Sequence, residues 1–214
     1  MSQDAGPTPQ GEAEPSRTEQ KLDRLLAAAA ELMARQGFSQ TTIRDVARAT
    51  GYSLAGMYYY FKSKEDLLFQ IQLRTFTSLL EQQQEALARG GTAEERLRRF
   101  VRGHLGFFVE HFNELKVCTF ELESLSEEAY REIEAVRRRY YRLAAGVIAE
   151  LMGRDGGNPE TDRAVRHATL FVFGSLNWIF MWFDPERDGP VDALADEVVD
   201  LVLHGVRAVA RGRS

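Results

Sequence analysis

The run Tyr58-Tyr59-Tyr60-Phe61-Lys62-Ser63-Lys64 holds the side chains best suited to gripping a phosphate. Phenols and ammonium groups both donate hydrogen bonds to phosphate oxygens. Successive helical positions are about 100° apart, so three adjacent tyrosines cannot share a buried face and at least one points outward. Upstream, Thr42 and Asp45 have the spacing of a capping box, Gly51 supplies a turn, and Ser53 can cap a second short helix. Thr41 to Lys64 therefore reads as a capped helix of two turns, a glycine turn, a short helix and a basic exit. That is the order of a helix-turn-helix, whose second helix lies in the DNA major groove.

Charge supports this reading. The chain has 214 residues and a formal net charge of -5. Residues 17 to 64 nevertheless carry eight basic and four acidic side chains, a net +4. A basic head on an acidic body is expected where only one end meets phosphate.

Other chemistries have weaker support. The sequence contains no G-x-S-x-G, P-loop, dinucleotide-binding glycine pattern or H-E-x-x-H, so an enzyme is the less favoured reading and a helical interaction adaptor the third. His104 and His111 are seven apart on one helix face, a spacing that reads as packing rather than metal ligation. Cys118, the single cysteine, reads as a small buried hydrophobe and excludes an intrachain disulfide. No metal or cofactor is expected. Residues 2 to 20 are polar, without a signal peptide, and the run Phe171 to Phe183 is too short to span a bilayer. A cytoplasmic chain with no membrane partner is expected.

The elements that must position these groups are all helical, because no stretch shows period-2 alternation. Residues 1–16 are poor in apolar side chains and are expected to be disordered. About nine helices are expected after that. The first runs over 17–36, the next two form the helix-turn-helix, and a fourth starts at a Ser63–Asp66 capping box. Thr92 and Glu95 cap a fifth, whose stripe includes Phe100, His104, Leu105 and Phe108. A short piece spans 115–125 and a long helix 126–152. Asn158 and Pro159 open a helix reaching Phe183, and Val191 starts the last one, to about Val209. The division is a DNA-binding domain over 17–70 and an effector-binding and dimerisation domain over 71–214.

The run Thr41-Thr42-Ile43-Arg44-Asp45-Val46-Ala47, then Gly51-Tyr52-Ser53, then Tyr58 to Leu68, resembles the DNA-binding domain of TetR-type repressors. The resemblance implies an all-helical homodimer that binds a palindromic operator in double-stranded DNA and lets go when a small effector binds. It places Ser53 to Tyr60 on the recognition helix. Thr42, Tyr58, Tyr60 and Lys64 become phosphate contacts, and Arg44, Leu54, Ala55 and Tyr59 candidates for base edges. Thr41, Ser53, Gly56 and Lys62 complete the DNA-binding set. Ala55 and Gly56 depart from the Gly and Thr usual in the family, so the hydroxyl contact often made at position 56 is lost.

The C-terminal stretch Phe173-Gly174-Ser175-Leu176-Asn177-Trp178, with Trp182-Phe183 and His204-Gly205-Val206, is similar to TetR regulators of fatty-acid and sterol catabolism. That resemblance implies an apolar effector such as an acyl-CoA thioester. Phe107, Phe108, Phe112, Phe171, Asn177 and Trp178 are the expected lining, with core packing as the plainer reading for any one aromatic. Arg137, Arg138 and Arg139 could meet phosphates, Arg139 being the effector-site candidate. The plainer reading of that run is a solvated helix face. The last two long helices are expected to form the dimer, because the one over Val191–Val209 is amphipathic and the one over Asn158–Phe183 is apolar on more than one side and needs a partner on each.

Overall fold

A computed structural model describes residues 16–154 and 156–211, and among them every regular element is helical. The tail expected to be disordered lies outside the described residues except for Ser16. Among the described residues there are ten α-helices: α1 (Arg17–Gln36), α2 (Ile43–Thr50), α3 (Leu54–Tyr60), α4 (Lys64–Ala88), α5 (Ala93–Glu110), α6 (Phe112–Phe120), α7 (Glu127–Leu151), α8 (Arg163–Asn177), α9 (Pro185–Asp188) and α10 (Val191–Arg211). Short 3-10 turns follow α6 and α8. The helix beyond the expected nine is α9, a single turn opened by Pro185.

Local signals set most of these boundaries. Ser16 with Glu19, Thr42 with Asp45 and Thr92 with Glu95 form closed capping boxes at α1, α2 and α5. Each satisfies backbone N–H groups that the first turn leaves free. The Ser63 box is half made. Ser63 Oγ accepts from Asp66 N at 3.1 Å, but the Asp66 carboxylate accepts from Lys62 N at 2.7 Å. Gly51 ends α2 at φ 72°, ψ 14°, a left-handed conformation that glycine adopts without strain.

One expected boundary is corrected. The helix expected over Asn158–Phe183 is α8, and it starts and stops inside that range. Asn158 Oδ1 accepts from Glu160 N at 2.9 Å and closes a turn instead of opening a helix. Asp162 is the cap, accepting from Ala164 N at 2.8 Å and Val165 N at 3.2 Å while Arg154 donates to its other oxygen at 2.7 Å. A carboxylate at a helix N-terminus also gains from the macrodipole, which the amide of Asn158 does not. Asp162→Ala is therefore expected to lower the urea midpoint of unfolding more than Asn158→Ala does. Arg154 and the backbone donors hold the Asp162 carboxyl below its ordinary value. Its contribution is present above the usual aspartate pKa and is lost as pH falls through the lowered value. Denaturation curves across the acidic range check both statements.

Two hydrophobic cores result. The head core joins α1, α2, α3 and the start of α4 through Leu25, Ala29, Met33, Val46, Met57, Phe61 and Leu67. The body core is built from α4, α5, α7, α8 and α10 around Phe100, Leu105, Ile148, Val165 and Val199. Two elements belong to both. Helix α4 runs unbroken from Leu67 and Leu68 in the head to Leu79 and Leu80 in the body. Helix α6 gives Val117 to the head core and Leu115 to the body core. On the outside of the body, Arg98 and Arg102 of α5 reach Asp196 of α10 at 2.9 and 2.8 Å.

Candidate DNA-reading head and effector cavity

Helix α3 is anchored by two side chains and presents the others. Met57 and Phe61 are fully buried in the head core, which fixes the rotation of the helix. Tyr58 and Tyr59 are then 56% and 81% exposed, so two of the three tyrosines face outward. Tyr60 is half-buried and meets Tyr59 edge-on, ring centroids 5.1 Å apart. Ser53 and Ala55 are exposed; Leu54 and Gly56 are half-buried. Ser53 Oγ accepts from Gly56 N at 3.0 Å. A Cβ at Gly56 would stand 3.2 Å from that oxygen, so a larger residue there needs the cap to give slightly.

Beside α3 lies an open groove of about 520 Å³, between the start of α2 and the start of α4. Thr42, Arg44, Tyr58 and Lys62 line it, all exposed. Arg44, Tyr58 and Lys62 thus bring hydrogen-bond donors to a concave surface at the positive end of α2, which suits a phosphate, while Thr42 donates its hydroxyl and its N–H to Asp45 Oδ2 at 2.6 and 3.0 Å. Two further members of the expected set are committed elsewhere. Thr41 is completely buried, its hydroxyl donating to Gly37 O at 2.8 Å and accepting from Gln36 Nε2 at 3.3 Å. Lys64 Nζ donates to Phe38 O at 2.9 Å and sits 4.2 Å above the Phe38 ring. Both hold the loop between α1 and α2 in place. Lys64 also lines the groove, so its charge is felt there.

The second site is a cavity of about 560 Å³ in the body. Phe76 and Leu79 of α4, His104 and Phe108 of α5, and Leu115 and Cys118 of α6 form its inner wall. Tyr140 and Tyr141 of α7 with Phe173 and Asn177 of α8 close it. Arg137, Arg138 and Arg166 line it and are exposed, so the cavity reaches solvent at a basic edge. The Arg137 guanidinium lies 5.3 Å from the Phe76 ring centroid, and Arg138 approaches Glu134 and Glu160 at 3.9 Å.

Inside the cavity the ionisable groups are held neutral. Burial pulls the His104 imidazole down to about 3 and pushes the Cys118 thiol up to about 12. It also raises Tyr140 well above the ordinary phenol value. His104 Nδ1 lies 2.7 Å from Tyr140 Oη, and its ring stacks on Phe108 at 4.5 Å. His104 is thus a packed residue, and His111 separately meets Phe107 at a tilt, ring centroids 4.2 Å apart.

Of the expected effector residues, Phe108 and Asn177 line this cavity. Phe107 is buried beside it in the core, and Phe112 lines a separate 190 Å³ groove with Val109 and Phe183. Phe171 is 76% exposed on the opposite side of α8, where it lines an apolar groove of about 730 Å³ with Leu201 and Val202 of α10. Trp178 and Arg139 are exposed and lie outside the cavity lining. Helical rotation explains the placements. Two residues on, a side chain has turned by about 200°, so Phe173 faces in where Phe171 faces out, and Arg137 where Arg139 does not. Sequence reasoning missed Phe76, Tyr140, Tyr141, Phe173 and Arg166 as lining. The available signal was i, i+4 spacing, as in Arg137 with Tyr141 and His104 with Phe108.

Helix α6 connects the two sites. Its Leu115 and Cys118 line the cavity while Val117 packs in the head core. Directly after it, Glu121 Oε1 accepts from Phe38 N at 3.2 Å, and Gln72 of α4 donates to Glu121 O at 3.3 Å.

Comparison with known proteins places both halves. The family model described as "Bacterial regulatory proteins, tetR family" matches residues 25–71, and that described as "Tetracyclin repressor-like, C-terminal domain" matches residues 90–206. The Fatty acid metabolism regulator protein of Bacillus subtilis is 25% identical over 187 residues, 87% of this chain and 95% of its own length. A TetR-family regulator from Bordetella parapertussis superposes with a TM-score of 0.79 at 28% identity, covering 86% of this chain and 95% of that one. The structure of FadR from B. subtilis in complex with stearoyl-CoA shares the fold, with a TM-score of 0.69 at 24% identity over 86% of this chain and 98% of that one.

Proposed function

Because the chain belongs to the TetR family of bacterial regulatory proteins, we propose that it is a dimeric repressor released from a palindromic operator by an acyl-CoA thioester. The observation that carries the effector reading is the two-part cavity. Its interior is aromatic and electrically neutral, and its edge carries Arg137, Arg138 and Arg166 against Glu134 and Glu160. An acyl-CoA has the matching halves, an apolar chain and a phosphate-bearing head that arginine recognises well. The B. subtilis relative is named as a regulator of fatty acid metabolism, which points the same way.

In the DNA-bound dimer, Tyr58, Tyr60, Lys62 and the start of α2 at Thr42 hold phosphates, with Lys64 contributing charge from behind. Thr41 acts by supporting the loop behind that groove. Arg44, Leu54, Ala55 and Tyr59 face the bases, and Ser53 and Gly56 let α3 approach closely. The dimer forms through α8 and α10, whose outer face exposes Phe171 and Leu201 side by side on one apolar groove. A two-fold axis there sets two recognition helices about 34–36 Å apart, one turn of DNA. Effector binding presses on Leu115 and Cys118, and α6 transmits the displacement to the head through Val117 and Glu121. We assign the chain a binding role, with DNA at the head and an effector in the body, and no catalytic one. As a DNA-reading regulator it works in the cytoplasm. No helix among the described residues is long and apolar enough to cross a membrane.

A thermal-shift series tests the effector. Stearoyl-CoA at a hundredfold excess over its Kd adds about 2.7 kcal/mol, a Tm rise of roughly 5–10 °C for a chain of this size. Free CoA is expected to give little shift, and stearoyl-CoA to release operator DNA in a gel shift. Silence towards every thioester, with a response to an unrelated apolar ligand, would overturn this assignment.

A further inference from the structure

His104 is 1% exposed, its Nδ1 is used by Tyr140, and its Nε2 has no hydrogen-bond partner. With the ring held neutral by burial, one nitrogen carries the proton. If the Tyr140 hydroxyl donates to Nδ1, the proton is on Nε2 and a single buried donor is left over. The other tautomer strands the Tyr140 hydrogen and the Nε2 lone pair together, so the first is favoured. An unsatisfied buried donor is uncommon and expensive. Around the ring lie Phe100, Phe108 and Phe173, which offer no acceptor. The nearby polar side chain is Asn177, close enough to favour the protonated ring but short of a well-formed bond to Nε2. His104 and Asn177 line the same cavity from opposite helices, α5 and α8.

We propose that His104 Nε2–H and Asn177 form a polar receptor for an acceptor oxygen on the buried part of the effector. The inference rests on the reading that this cavity holds the effector. It makes the site more than a hydrocarbon sleeve. A ligand that fills the cavity displaces any water from Nε2, and it must then replace that hydrogen bond or leave the donor stranded. The oxygen has two chemical sources, the thioester carbonyl or an oxygen further along the acyl chain. Either presents the same lone pair to the same donor. Sites built to hydrogen-bond a ligand discriminate strongly against analogues that lack the group.

Binding of three probes to the full chain separates the cases: stearoyl-CoA, the thioether S-octadecyl-CoA, and an oxo-stearoyl-CoA with a ketone in the chain. Wild type is expected to bind at least one oxygen-bearing probe roughly 5-fold or more tightly than the thioether. A preference for stearoyl-CoA over the thioether assigns the carbonyl. Preference for the oxo-acyl probe alone assigns a chain oxygen. His104→Phe is expected to erase that preference while still binding the thioether. Because His104→Phe strands the Tyr140 hydroxyl, the double change His104→Phe/Tyr140→Phe serves as the second variant, with its urea midpoint recorded. Equal affinity of wild type for all three, or equal loss for all three in both variants, overturns the proposal and leaves the cavity reading intact. Failure of wild type to bind any of them overturns both.

Discussion

Arg44→Ala is expected to weaken operator binding by about 1–3 kcal/mol per half-site, roughly 5- to 150-fold, with relaxed preference at the base it faces. Arg44 sits in the first turn of α2, exposed, in the groove with Tyr58 and Lys62. The side chain has no share in the head core, so the fold survives its removal. Lys62→Ala is the instructive partner. Lys62 is exposed, and its loss is expected to weaken all sequences alike and to lower the salt slope by about one per half-site. Titrations at several salt concentrations distinguish the two. A loss for Arg44→Ala that is the same on operator and random DNA would count against base contact. Lys64 is a poor choice for this experiment. Removing it also frees the Phe38 carbonyl and the ring beneath the ammonium, so contact and positioning would be lost together.

The second large effect is expected at the outer face of α8 and α10. Phe171→Glu combined with Leu201→Glu puts four carboxylates across the proposed two-fold interface, where apolar side chains now stand exposed. Sedimentation is expected to show a monomer, and operator affinity to fall by roughly 10²- to 10⁴-fold as the second half-site becomes a separate binding event. Phe173 and Asn177 lie on the other side of α8, so effector binding is expected to persist in the monomer. A dimer that survives both substitutions would place the interface elsewhere.

How much of this was legible in the sequence depended on whether the signal was local. The helix-turn-helix could be read because caps, the Gly51 turn and the apolar period all fall within one short segment, and the charge of that segment agreed with them. The start of α8 was misplaced because two caps compete within five residues. Asn158-Pro159 is the more recognisable pair, yet the Asp162 carboxylate, with Arg154 beside it, makes the stronger end. The cavity was harder, since its wall comes from five helices and no single stretch contains it. Aromatic content announced a pocket but not its lining. Choosing Phe173 over Phe171 needs the rotation of α8 against α7, which is set by Val165, Val172 and Leu176 in the body core. Likewise Thr41 belongs to a long motif, but only packing shows its hydroxyl turned inward to Gly37.

Helix α6, nine residues long, has one face in the cavity and one in the head core. Coupling of the kind proposed for it has no preferred direction. If the effector lowers operator affinity by some factor, the operator must lower effector affinity by the same factor. The repressor's sensitivity to its metabolite is therefore a property of the genome as well as of the protein. A cell carrying many copies of the operator, on a plasmid for instance, would need more effector to trigger the same fractional release. Sensing free in solution and sensing while seated on DNA would differ in threshold by the full coupling factor.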